Sequence, residues 1–476
     1  MRTYALKLVL IFQAVLLAAF AIALGRRWFP LGVRGEWEWP RIRVVPSPID
    51  VAIAVAGLAA YALFAALGSR ALAEKQSPVR EGAWLTGLFV AAVGVQVVVQ
   101  SGAPVGYGLT KWVTLGMRGS SGYYTVAKRQ IDDPWRFWAE YPTWIQRQDA
   151  LHVGTHPPGL FLWARAALGV MRTRPGVAAF VVEHLPATVN EGFRLMLGPL
   201  PRADRAALAV MGAAGLLACA ATVVPLYLLG RWSGLPTAAA WAAASLWPVV
   251  PSAILFQPTA DTAFPLLATT ALALASRRRP WAAFAAGACL GVGTGFTLAF
   301  LAVGLVTAMV LASRSWRSWL LLTASTGAGF LAVTLATWAV SGANPFVIWW
   351  WNQEHHARFY VEYPRSYLAW VVANPIELAV GLGLAPSLWA AIGLASRRAP
   401  RVAWATVAVL AVLTLSGRSL SEVARLWLPL MPPLVVAAGA GLERTGGKAL
   451  ALAVTIGLVG LQTILLEQTI QVVYPV

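Results

Sequence analysis

Residues 449–466 read ALALAVTIGLVGLQTILL, eighteen consecutive positions without an acidic or basic side chain. A helix needs about 20 mostly apolar residues to cross the hydrocarbon core of a bilayer. Similar runs fill 5–24, 50–68 and 83–101. The whole chain of 476 residues is 58% hydrophobic and only 12% charged, whereas ordinary soluble domains carry roughly 25% charged residues. The pattern therefore predicts an all-α, polytopic integral membrane protein.

Thirteen spanning helices are expected, near 5–24, 50–68, 83–101, 206–229, 235–253, 262–276, 281–297, 299–313, 319–340, 368–395, 402–416, 427–442 and 449–468. The first follows Arg2 and includes Lys7, as in a secretory signal. Gly25-Arg26-Arg27-Trp28 follows it in place of a small-x-small cleavage site, so an uncleaved helix is expected. The net charge is +18. In a soluble chain that charge would suggest nucleic acid. Here it fits Lys and Arg holding cytoplasmic loops, and no nucleic-acid partner is expected.

The basic connectors are Arg231, Arg277-Arg278-Arg279, Arg314 with Arg317, Arg397 with Arg398 and Arg401, and Arg444 with Lys448. They alternate with loops almost free of Lys and Arg. Positive loops stay inside. This predicts a cytoplasmic N-terminus in the cell membrane, with 102–205, 341–367 and 417–426 extracytoplasmic. Loop 25–49 departs from the pattern, since it carries Arg26, Arg27, Arg34, Arg41 and Arg43 on the side expected to be outside.

Three parts follow: an N-terminal three-helix membrane segment, 1–101; an extracytoplasmic loop, 102–205; and a ten-helix segment, 206–476, with the outer loops 341–367 and 417–426. Loops beyond about 15 residues are usually functional. Within 102–205, the apolar stretch 160–171 is short for a span and is expected as an interfacial helix, with Pro157 and Pro158 in its first turn. Cys219 and Cys289 lie inside apolar runs and read as packing residues. The 23 tryptophans suit interfacial belts, densest at Trp349-Trp350-Trp351.

All five histidines, His152, His156, His184, His355 and His356, fall outside the expected spans. The long loop offers Asp132, Asp133, Asp149, His152 and His156. If the segment before Pro157 is helical, Asp149, His152 and His156 share one face. Such a set can work as an acid/base cluster, and a divalent metal at His152 and His156 is a second option. The next outer loop carries His355, His356 and Arg358. The last carries Arg418 and Arg425 around Glu422, and arginines can grip a phosphate bidentately.

Several stretches resemble the GT-C superfamily of polytopic membrane glycosyltransferases, which includes protein O-mannosyltransferases and aminoarabinose transferases. They are His156-Pro157-Pro158-Gly159, Leu228-Leu229-Gly230-Arg231-Trp232-Ser233-Gly234, Pro258-Thr259-Ala260-Asp261 and Glu422-Val423-Ala424-Arg425-Leu426-Trp427-Leu428-Pro429. In order they cover much of 120–440. Ser120-Ser121-Gly122-Tyr123-Tyr124 departs from the family pattern by placing serines where acids are expected. The resemblance implies transfer of a hexosyl or pentosyl group from a polyprenyl-phosphate donor to a lipid, glycan or protein acceptor on the outer face of the cell envelope.

On that basis one of Asp133, Asp149 and Asp132 is the expected general base, with His156 or His152 beside it. Arg418 and Arg425, helped by His355, His356 or Arg358, are expected to hold the donor phosphate. A transporter or flippase for a lipid-linked or anionic solute is the first alternative, and the scarcity of midplane charges counts against it. A metal-dependent lipid-phosphate hydrolase is the second. A structural assembly protein would not need the histidine clusters.

Overall fold

Helices dominate the computed structural model, which describes residues 2–28, 31–74, 76–396, 399–444 and 449–473. Of the basic connectors, Arg397, Arg398 and Lys448 lie outside the described residues. Six helices are long and apolar enough to cross a membrane: Tyr4–Gly25, Pro48–Ala71, Pro78–Ser101, Arg202–Trp232, Trp316–Ser341 and Ala449–Thr469. They mark the chain as a membrane protein. Tyr367–Leu382 and Leu384–Leu394 make a seventh if the pair, bent by 106°, is one span.

The remaining expected spans are helical but shorter. Phe264–Ser276, Pro280–Thr294, Ala299–Leu311, Arg401–Leu415 and Met431–Arg444 have 13, 15, 13, 15 and 14 residues. Fifteen residues of α-helix rise only about 22 Å, against roughly 30 Å of hydrocarbon. Segment 235–253 is broken into Thr237–Leu246, a 3-10 turn Trp247–Val249 and Pro251–Leu255. Pro248 and Pro251 lack the N–H that a continuous helix would use there. Segment 368–395 breaks at Gly383, whose φ of +97° only glycine adopts without cost.

Some helices pack where their backbones come close. A Cβ on Gly287 would lie 1.9 Å from the Thr326 carbonyl oxygen, and one on Gly329 would lie 1.9 Å from that of Phe284. Glycine at both crossings lets Pro280–Thr294 and Trp316–Ser341 touch main chain to main chain.

The region 102–205 is folded. It contains a 3-10 helix Gly108–Gly116 and α-helices Tyr123–Arg129, Pro134–Trp144, Gly159–Thr173, Pro175–Glu183 and Ala187–Leu197. Gly159–Thr173 buries Leu160, Phe161, Ala164, Ala167, Leu168 and Met171, the i, i+3, i+4 face of an amphipathic helix. Pro157 and Pro158 precede it rather than entering its first turn. Residues 149–156 form turns and bends, not the helix the Asp149–His152–His156 spacing assumed. Loop 25–49 holds a small antiparallel hairpin, Gly32–Val33 with Trp37–Glu38, and a single antiparallel bridge joins Arg41 to Ile470; the other described elements are helical.

Helix Pro345–Glu362 lies between two loops and joins them. Asn352 Nδ2 donates to the Gly154 carbonyl at 2.9 Å, His355 Nε2 to Ile145 at 2.8 Å and Arg358 Nη2 to Gln148 at 3.1 Å. On its other side His356 Nε2 donates to the Arg418 carbonyl at 2.9 Å, and the Leu420 N–H donates to the Tyr360 hydroxyl at 2.8 Å.

Candidate functional site

Four distant stretches meet around one cavity of about 300 Å³. Ser120, Ser121 and Tyr123 come from the turn into Tyr123–Arg129. His152 and His156 come from the turns before Gly159–Thr173. Thr259 and Asp261 come from the bend before Phe264–Ser276, and Arg425 from the loop before Met431–Arg444. A second cavity of about 340 Å³ shares His156, Asp261, Phe264 and Leu426 with the first. Its polar side adds Thr155, Asn352, Gln353, His356, Arg418 and Ser419, and its apolar side Leu301, Ala302, Leu305 and Leu413. His156 and Asp261 therefore stand in the wall between two chambers.

Arg425 is held by two carboxylates. Its guanidinium pairs with Glu422, and its Nε lies 3.8 Å from Asp261 Oδ2. The side chains of Arg425 and Asp261 are 16% and 19% exposed. Burial works against the Arg425 charge, but Glu422, Asp261 and Tyr123 outweigh it and raise its pKa. Its short helix Val423–Leu426 follows Ser421 and Glu422, which sit at φ +78° and +55°. Two successive non-glycine residues in the left-handed region are uncommon, and such outliers gather at functional sites.

His156 Nδ1 lies 3.0 Å from the His152 carbonyl. A carbonyl only accepts, which assigns the proton to Nδ1 and leaves a lone pair on Nε2. Burial, then the Arg425 guanidinium, then His156 push the His152 pKa down to about 3. Burial also lowers that of His156, although Asp261 pulls the other way. Both imidazoles are neutral at neutral pH. Tyr123 packs edge-on to the His156 ring at 5.6 Å between centroids, and burial raises its phenol.

The expected carboxylates lie elsewhere. Asp132, Asp133 and Asp149 are exposed and line neither cavity. Asp133 caps helix Pro134–Trp144, its Oδ1 accepting the Trp135 and Arg136 N–H groups. Asp149 Oδ1 accepts the Leu151 N–H at 3.1 Å in a local turn. Asp132 exposes its side chain, and its carbonyl accepts from Arg165 at 3.1 Å. Local hydrogen bonds, which short polar side chains readily form, occupy two of these groups.

The arginine and histidine set also divides. Arg425 lines the first cavity, whereas Arg418 and His356 line the second. His355, buried at 2% exposure, and Arg358, paired with Glu362 at 3.0 Å, line neither and tie the helix to loop 145–154. Among the described residues no group of three or more His, Cys, Asp or Glu side chains is placed to hold a metal ion. For a divalent metal, the second option at His152 and His156, the described residues offer no third ligand, and Asp149 turns toward its own backbone.

Asp261 was legible as the acid that closes the GT-C-like stretch Pro258-Thr259-Ala260-Asp261 and opens an apolar run, but the candidate bases were chosen from the long loop and did not include it. Ser121, Tyr123 and Thr259 carried no signal beyond the departure and match to the GT-C patterns. No family model, curated protein or solved structure matches the chain.

Proposed function

We propose that the chain is a multi-pass membrane glycosyltransferase of the GT-C type, with both cavities opening on the extracytoplasmic side. The observation that carries this reading is the shared wall: one carboxylate, Asp261, and one neutral imidazole, His156, face two chambers. Such an arrangement suits a group transfer between two substrates. A donor in one chamber and an acceptor in the other meet at a single base.

The second chamber suits a lipid-linked donor. Arg418 and His356 stand at its polar side, and Arg418 is in no ion pair among the described residues. Leu301, Ala302, Leu305 and Leu413 offer an apolar side for a polyprenyl chain. In the reaction the acceptor oxygen attacks the anomeric carbon and a new C–O bond forms. The bond from that carbon to the phosphate oxygen breaks, and its electron pair stays on the leaving polyprenyl phosphate. Asp261 takes the hydroxyl proton, and Arg418 stabilises the growing phosphate charge. This assigns the base to Asp261, not to Asp132, Asp133 or Asp149. With no three-ligand cluster among the described residues, the metal-dependent hydrolase has less support.

The test is transfer from a polyprenyl-phosphate sugar by single Asn variants. Losing a general base costs ~10²–10⁴ in rate. Asp261→Asn is expected to show that loss, and the Asn variants of Asp132, Asp133 and Asp149 to transfer near the wild-type rate. Full activity in Asp261→Asn would refute the mechanism. The orientation is checked by cysteine labelling from outside at Gln146 and Glu183, both exposed. Labelling of one and not the other would overturn the single outer loop.

A further inference from the structure

Three buried polar atoms around the first cavity have no hydrogen-bond partner among the described residues: Ser121 Oγ, Thr259 Oγ1 and Arg425 Nε. Ser121 as a whole is only 8% exposed. Arg425 Nε lies 3.8 Å from Asp261, beyond hydrogen-bond reach. Buried polar groups are bonded in the great majority of cases, and an orphan costs stability. These three orphans belong to residues that line one cavity, where a small rotation of each side chain would let a ligand supply the missing partner.

The charge of that ligand follows from the surroundings. The Arg425 guanidinium is already balanced by Asp261 and Glu422. His152 and His156 add no positive charge at neutral pH. An anion entering here meets the Asp261 carboxylate, with no free cation among the described residues that line the cavity. A hydroxyl can donate and accept at once. It can bond to the Ser121 and Thr259 hydroxyls and accept from the Arg425 Nε–H. Trp163 and Phe296 supply apolar ring surface on the same cavity.

We propose that the first cavity is a subsite for a neutral polyhydroxylated group, the acceptor of the transfer, recognised by Ser121, Thr259 and Arg425 Nε, with one hydroxyl presented to Asp261. The proposal rests on the glycosyl-transfer reading and names its acceptor class. It also makes Ser121 and Thr259 specificity-determining residues, the serine standing where the family resemblance leads one to expect an acid.

The test uses the full chain in lipid nanodiscs without donor. Saturation-transfer NMR is run with the methyl glycosides of glucose, galactose, mannose and arabinose, and with inorganic phosphate and ethanolamine as competitors. At least one glycoside is expected to bind and to resist displacement by phosphate or ethanolamine. Thr259→Val, which keeps the shape and removes the orphan hydroxyl, and Ser121→Ala are each expected to weaken binding about tenfold. Their thermal midpoints should stay level or rise, since an orphan is removed, whereas a structural hydroxyl would lower them. Arg418→Gln should leave glycoside binding unchanged while impairing use of the donor.

No binding by any glycoside, ready displacement by phosphate or ethanolamine, or wild-type affinity in both variants would overturn the subsite. Transfer persisting without glycoside binding refutes the subsite alone. Glycoside binding in a chain that does not transfer refutes the glycosyltransferase reading alone.

Discussion

Glu377 Oε2 accepts the backbone N–H of Val423 at 3.2 Å. The same carboxylate accepts from the Trp39 indole at 3.2 Å through Oε1. Val423 opens the short helix that carries Arg425, directly after the two left-handed residues Ser421 and Glu422. A buried acid on helix Tyr367–Leu382, 1% exposed, thus caps the turn that aims the guanidinium at the candidate site. The N-terminal hairpin reaches the same acid through Trp39.

Removing that acceptor should be costly. Glu377→Leu leaves the Val423 and Trp39 N–H groups unsatisfied in a buried setting, at about 1–3 kcal/mol each. A clear drop in thermal midpoint is expected, together with reduced transfer. Glu377→Gln keeps one acceptor oxygen and should recover part of both. Equal behaviour of Leu and Gln variants in thermal unfolding would show that the hydrogen bonds do not hold the turn.

A second buried acid is paired. Lys111 Nζ lies 2.7 Å from Glu467 Oε1, with the two side chains 1% and 2% exposed. Lys111 also donates to the Ile254 carbonyl at 3.1 Å, at the end of the helix preceding the Asp261 bend. Breaking such a pair on one side typically costs about 3–5 kcal/mol, because a charge is left buried alone. Lys111→Met should lose that much in chemical unfolding, and Lys111→Met with Glu467→Leu markedly less. Additive losses in the double variant would rule out coupling.

The histidines predict an acid-side dependence. In the folded chain the His152 pKa is about 3, below its ordinary 6.5, and that of His156 is lowered too. Between about 6.5 and 3 the unfolded chain binds more protons than the folded one. Stability from these groups is therefore full above pH 6.5 and declines as pH falls toward 3. Thermal midpoints at pH 7.5 and 4.5 should differ less in His152→Gln than in the wild type. An unchanged difference would place the acid sensitivity in other groups.

Asp133 and Asp261 show how far the site could be read from the chain. Asp133 precedes proline and four aromatic or basic positions in a long polar loop, so it looked available. Its side chain is spent on the N–H groups two and three residues on, a use that local sequence permits but does not declare. Asp261 opens an apolar run and was read only as part of a GT-C-like stretch, not as a base. Its meeting with Arg425, 164 positions away by subtraction, is not encoded in any local pattern. His156 was legible as a titratable group, but its turn was not, since its spacing from His152 was read as helical.

The sequence by itself determined that this is a helical membrane protein with its histidines gathered in the connecting segments. Apolar runs such as 449–466 must leave water, and a backbone in hydrocarbon satisfies its hydrogen bonds within a helix. Only the tertiary structure decided which charged groups share a cavity, which runs break into short helices, and which loop residues serve as caps and ties. Those outcomes depend on contacts between segments far apart in the chain, such as Asn352 with Gly154 and Glu377 with Val423. Their formation depends on the packing of every helix between them, a quantity no local spacing contains.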